Sequence, residues 1–158
     1  MDASRAIRVL ASTPAKVNTL VAPLTEAQVR WRPGPGEWSI KEVLCHLRDT
    51  AELHGARMRR VATEDNPTLA SWDEGAAARD KRYQDDVTEA VLPAYVAHRW
   101  AAVELLTGLP PEAWQRPGVH ASDGPLTLDS LVQGSVNHDV DHLAQLRRLK
   151  AGALAAEV

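Results

Sequence analysis

Six histidines carry the chemistry this sequence can offer: His46, His54, His98, His120, His138 and His142. His138 and His142 are four residues apart. On a helix, such positions share one face a single turn apart, so both imidazoles can reach one divalent ion. On a helix predicted from Thr127 to about Ala151, both fall at the border of the apolar face. His46 takes the same border position on a helix predicted from Ile40 to about Val61. Three imidazoles from two helices could meet at one end of a core. Such a site keeps open positions for water or substrate, as catalytic rather than closed structural ions do. The competing reading for each is a partly buried ring hydrogen-bonded to backbone.

The neighbours of these histidines are weighed the same way. His54 lies two turns beyond His46, about 12 Å along the axis. It can share an ion with His46 only if the site sits midway, so a satisfied core histidine is the leading reading and a ligand or proton carrier the second. Asp49, one turn after His46, could orient an imidazole or a bound water. Asp49 and His54 are the only nearby candidates for proton transfer. Asp139 falls inside a buried arc and needs a partner, either an arginine or the free N–H of a ligand histidine. Cys45 adjoins His46, but adjacent helical positions point about 100° apart. It reads as a buried, inert thiol. No nucleophile elbow, P-loop or dinucleotide-binding glycine pattern is present, and His98 and His120 receive no role.

Four helices must position these groups. The first is expected over 3–22, with Pro14 forcing a kink or starting a second helical segment. Thr25-Glu26-Ala27-Gln28 reads as a capped helical turn. Arg32-Pro33-Gly34-Pro35-Gly36 reads as a rigid loop. Trp31 and Trp38 flank that loop, as plugs of one core end or as walls of a substrate pocket. Ser39-Ile40-Lys41-Glu42 is a capping box that opens the second helix. Residues 63–86 are irregular, with a short helix expected around Glu74 to Tyr83. A segment this long is a functional lid or simply mobile. The third helix is expected over 87–106. Residues 116–125 are expected to be loop, and the fourth helix follows. A weak internal echo between 24–34 and 109–118 fits two similar helix pairs packed as a bundle.

Composition narrows the setting. The 158 residues suit one domain over 1–158, with 44% apolar and 25% charged residues. A net charge of −3 offers no basic excess for nucleic acid. The arginines at 57, 59, 60, 147 and 148 read as solvated helix faces. One cysteine excludes an internal disulfide and fits a reducing compartment. No apolar run approaches the roughly 20 residues that span a bilayer, and no secretory segment opens the chain. A cytoplasmic protein with no membrane and no nucleic-acid partner is the expectation. Phenylalanine is absent, so Leu, Val, Ala and five tryptophans must fill the core, which favours helix packing.

Two segments carry a family resemblance. Gly36-Glu37-Trp38-Ser39-Ile40-Lys41-Glu42, continuing to His46-Leu47-Arg48-Asp49, resembles the first signature of the DinB-like (YfiT-like) superfamily. Gly124-Pro125-Leu126-Thr127-Leu128, followed by His138-Asp139-Val140-Asp141-His142-Leu143, is similar to its second. The resemblance implies an all-α four-helix bundle of up-down-down-up course, with a long connection between helices 2 and 3. It implies a divalent ion (nickel, zinc or iron) held by His46, His138 and His142, and often a homodimer. It further implies a metal-dependent enzyme acting on a small molecule. Such an enzyme would be a hydrolase or a transferase using a low-molecular-weight thiol such as bacillithiol or mycothiol, and related bundles include a thiol-dependent maleylpyruvate isomerase. The alternative is a non-catalytic bundle that binds a metal or small ligand in a stress response. His54 is outside the pattern, so the resemblance gives it no role.

Overall fold

A computed structural model describes residues 2–156. Four long helices form the bundle: α1 (Ala3–Val21), α3 (Ile40–Thr63), α5 (Thr88–Thr107) and α6 (Leu128–Ala155). Two short helices lie between them, α2 (Glu26–Arg30) and α4 (Glu74–Asp80). Side-chain caps set the helix starts. Thr25, Ser39 and Thr127 each close a reciprocal capping box, with Gln28, Glu42 and Ser130. Each box satisfies amide donors that a helix start otherwise leaves open.

α1 runs unbroken through Pro14, which is buried. The alternative of a second helical segment starting at Pro14 is therefore not what the chain does. The hydroxyls of Ser12 and Thr13 turn back onto the Val9 carbonyl, one residue before the carbonyl that loses its donor at Pro14.

The helix directions follow from which residues meet. Ala6 and Leu10 pack with Leu128 and Val132, whereas Val17 and Val21 pack with Leu143 and Leu146. α1 and α6 are therefore parallel. Gly55 faces His98 and Ala102, while Leu44 and Thr88 border one groove. α3 and α5 are therefore parallel to each other and antiparallel to the first pair. This is the up-down-down-up course.

The core has two apolar clusters with a polar belt between them. One cluster holds Val17, Leu44, Leu47, Tyr95, Leu143 and Leu146; the other holds Leu10, Met58, Ala102, Leu106, Leu128 and Val132. In sequence, Thr13, His54, Arg99 and Asp139 each fall between members of the two clusters. Arg99 and Asp139 are both completely buried and paired at 2.7 Å. Arg99 also donates to Ser135 Oγ at 3.0 Å, and the Tyr95 hydroxyl reaches Asp139 at 3.4 Å. The partner that Asp139 required is thus an arginine.

Residues 116–125 form strands, contrary to the expected loop. β2 (Pro117–His120) and β3 (Gly124–Thr127) make an antiparallel hairpin, and β1 (Thr68–Leu69) joins β2 in parallel. Strands of two and four residues containing Pro117, Gly118, Gly124 and Pro125 have little local strand signal. Tertiary contacts select them. Leu69 is buried in the second cluster, and a Cβ at Gly118 would sit 3.0 Å from Val61 Cγ2. Gly124, at φ +81°, closes the three-residue hairpin loop. Arg116 donates to the Val61 and Glu64 carbonyls at 3.0 and 2.6 Å, satisfying acceptors at the end of α3.

The segment joining α3 to α5 is pinned at both ends. β1 ties its start to the hairpin. Its end is latched to the first turns of α3, where Lys81 and the Tyr83 hydroxyl each donate to Asp49 Oδ2 at 2.7 Å. Gln84 donates to Ser39 Oγ at 2.8 Å. Among the described residues, no helix is long and apolar enough to cross a membrane.

Candidate metal centre

α3 and α6 are antiparallel, so the second turn of one meets the middle of the other. This brings His46, His138 and His142 together, with one ring nitrogen from each lying within 4.8 Å of the others. His46 Nε2 and His138 Nε2 are 2.8 Å apart. Nitrogens sharing a tetrahedral ion at about 2.0–2.1 Å stand about 3.3 Å apart. The observed separations bracket that value. The donor set also fits: all three groups are imidazoles, and burial favours the neutral, ligating form of His46 and His142. Burial pushes His46 down to about 3, with the neighbouring His142 and His138 adding to it. His142 is lowered by the same causes, burial first and then His138. His142 Nδ1 faces Gln145 Oε1 at 2.7 Å. An amide oxygen only accepts, so Nδ1 holds the proton and Nε2 keeps its lone pair for an ion.

His46 is not at the border of the core, as its helical position suggested. It is fully buried, because residues outside α3 cover it. The Trp38 ring lies 5.0 Å from its ring, and Trp72 stacks at 5.9 Å and 16°. Glu74, the first residue of α4, places Oε2 3.6 Å from His46 Nε2 and is 62% exposed. Trp72 and Glu74 both come from the long connection. Sequence reasoning passed over them because they lie in an irregular stretch. The available signal was Ser71-Trp72-Asp73-Glu74, an isolated tryptophan beside a helix cap. Gln145, three residues after His142, was also missed.

The two candidates for proton transfer stand differently. Among the described residues, the hydrogen bonds of the Asp49 carboxylate go to groups other than the imidazoles. The carboxylate accepts from Lys81, Tyr83 and Arg48, and its role is to latch the connection. Burial works to raise its pKa, but the hydrogen bonds of those three donors together outweigh burial and leave it lowered. His54 is outside the cluster of three. Its Nδ1 lies 3.2 Å from Ser135 Oγ, and its ring centre is 5.4 Å from that of His138. Burial lowers it to about 3, with His138 and Arg99 contributing. It joins the polar belt to the back of the site. Cys45 is buried, and burial foremost pushes its thiol up to about 12. It is no nucleophile at neutral pH.

Of the three histidines, His142 lines a cleft of about 750 Å³ that is also bordered by Trp31, Trp38, Glu74 and Gln145. Trp38 therefore both packs on His46 and walls the cleft.

The DinB superfamily family model matches residues 10–146. The chain belongs to the DinB superfamily. YfiT of Bacillus subtilis, whose name gives it provisionally as a metal-dependent hydrolase, is 27% identical over 146 residues, covering 90% of this chain and 81% of its own. A relative from Geobacillus kaustophilus with the same kind of name is 27% identical over 148 residues, covering 91% and 83%. The solved YfiT structure, described as an unusual four-helix bundle, superposes with a TM-score of 0.86 at 24% identity, covering 93% of this chain and 85% of that one. A mycothiol-dependent maleylpyruvate isomerase shares the fold with a TM-score of 0.72 at 11% identity, covering 92% of this chain and 61% of that one. This DinB-superfamily chain thus combines a three-histidine cluster with relatives named as metal-dependent.

Proposed function

We propose that this DinB-superfamily chain is a metal-dependent enzyme that brings water or a low-molecular-weight thiol to a small electrophilic substrate. The observation that carries this is three imidazole nitrogens within 4.8 Å of one another beside a cleft of small-molecule size. A divalent ion held by His46, His138 and His142 would supply a Lewis acid and lower the pKa of the nucleophile; nickel, zinc and iron all suit imidazole donors. The chain's own residues account for the rest. Burial keeps His46 neutral at pH 7, with its lone pair available. Gln145 fixes the orientation of His142. Trp38 and Trp72 shield His46 from bulk water. Glu74 is placed at the mouth to take the proton the nucleophile gives up. The names of the curated relatives support hydrolysis, while the isomerase supports thiol chemistry by analogy of fold alone.

One observation favours a second reading, a non-catalytic binding protein. The Glu74 carboxylate is close enough to His46 to complete a fourth position and close the site.

Metal analysis of protein purified without a histidine tag, followed by assay on model electrophiles with and without a small thiol, separates the two. The enzyme predicts about one ion per chain, lost in His138→Ala. It also predicts turnover that falls on the order of a hundredfold in Glu74→Gln at unchanged metal content. Metal loss in Glu74→Gln, with no turnover by wild type across the panel, supports the binding protein. A wild type that holds no divalent ion refutes both.

A further inference from the structure

The cleft beside His142 has features that bear on what enters it. One face of α6 borders it: His142, Gln145, Arg148 and Gly152 follow one another at spacings of three and four residues. The face extends about 15 Å at 1.5 Å per residue. Trp31 and Trp38 supply aromatic surface.

The place of Trp31 is built into the helix. A Cβ at Gly152 would lie 2.6 Å from Trp31 Cη2 and 2.8 Å from Cζ3. The indole packs directly on backbone that only glycine leaves bare. Any larger residue would push the ring off α6 and alter the cleft.

Arg148 is the cation of this cleft. It is exposed, and no acid or acceptor among the described residues engages its guanidinium. The acids of the cleft belong to other elements: Glu74 stands beside His46, and Glu37 lies in the loop next to Trp38. Both disfavour an anion near them, whereas Arg148 attracts one to α6. His142 and Arg148 are six residues apart, about 9 Å along the axis.

Building on the function proposed above, we infer that the substrate is an anionic molecule with a flat apolar body. Its carboxylate or similar group pairs with Arg148. Its body lies against Trp31 and Trp38, and its reacting end, about 9 Å from the anion, points toward His142. Arg148 determines specificity, and Gly152 positions the wall through Trp31.

Titration calorimetry on the full chain tests this with 4-phenylbutyrate and its uncharged amide. Both are titrated into chelator-treated and nickel-loaded protein. Wild type is expected to bind the carboxylate at least tenfold more tightly than the amide in both states. Arg148→Gln should remove that preference and leave amide binding unchanged, and Arg148→Lys should restore part of it. Gly152→Ala should weaken both probes alike. The inference is overturned if wild type binds neither probe or shows no preference. It is also overturned if the preference survives Arg148→Gln; survival in the nickel-loaded protein alone would place the carboxylate on the ion, and survival in both states would place it on another group of the chain. An Arg148-dependent preference in a chain that holds no ion would uphold the inference and refute the metal-dependent function alone.

Discussion

The Arg99–Asp139 pair offers a quantitative test of the polar belt. Asp139→Leu leaves Arg99 without a counter-charge at a position where both side chains are completely buried. Arg99 then keeps its bond to Ser135 Oγ at 3.0 Å and its contact with the Tyr95 ring, neither of which carries a negative charge, and its Nε already lacks a partner. Removing one member of a buried pair costs about 3–5 kcal/mol. For a chain of 158 residues, each kcal/mol lowers Tm by about 2–4 °C, so the expected fall is roughly 6–20 °C. Replacing both residues by apolar ones is close to neutral, because neither charge is then stranded. Arg99→Met/Asp139→Leu should therefore recover to within about 2 kcal/mol of wild type. Urea denaturation of wild type, both single variants and the double variant completes the cycle. A cost under about 1 kcal/mol for Asp139→Leu would refute the reasoning. So would a double variant no more stable than the worse single.

Three further outcomes are expected. His46 and His54 are held near 3 in the folded chain against an ordinary 6.5, so between those values the unfolded chain binds more protons. Stability of ion-free protein should be intact above pH 6.5 and fall as pH drops through the window, by about 2 kcal/mol per ring at pH 5. An unchanged urea midpoint between pH 7.5 and 5 would contradict this. Nickel or zinc at a hundred times its Kd should add about 2.7 kcal/mol to wild type and nothing to His138→Ala, read as Tm by calorimetry. Asp49→Asn should weaken the latch on Lys81 and Tyr83 by about 1–3 kcal/mol. Limited proteolysis should then cut faster within 64–87, while a cleavage rate equal to wild type would show that the latch does not hold the segment.

The bundle was legible because its helices announce themselves locally. Ser39 with Glu42 marks the start of α3, and the spacing of Leu128, Val132 and Leu146 marks the buried face of α6. The same periodicity placed His46, His138 and His142 near a common face. What local pattern cannot reveal is what other segments lay over that face. His46 reads as a border residue until Trp38 and Trp72 cover it. Asp49 reads as a helper of histidine until Tyr83 and Lys81 arrive from more than thirty residues away. Arg99 has no periodic signature at all, since an arginine in an apolar run is expected to face water. The hairpin was missed because its four-residue strands carry prolines and glycines and exist only through pairing and contact with α3.

The parallel course of α3 and α5 has a further consequence. Chain leaving the far end of α3 must travel back about 26 Å to reach the level of His46 before α5 can begin. That return journey delivers Trp72 and Glu74 to the histidines. The donors for an ion sit on helices locked by close packing, where small changes of volume are costly. The groups that cover them sit on a surface segment with fixed ends, where substitution and insertion are tolerated. The two halves of the site can therefore diverge separately. Rewriting residues 70–80, short of the latch at Lys81 and Tyr83, would exchange Trp72 and Glu74 while the cradle of imidazoles stayed unchanged, so one bundle can carry different covers over the same three histidines.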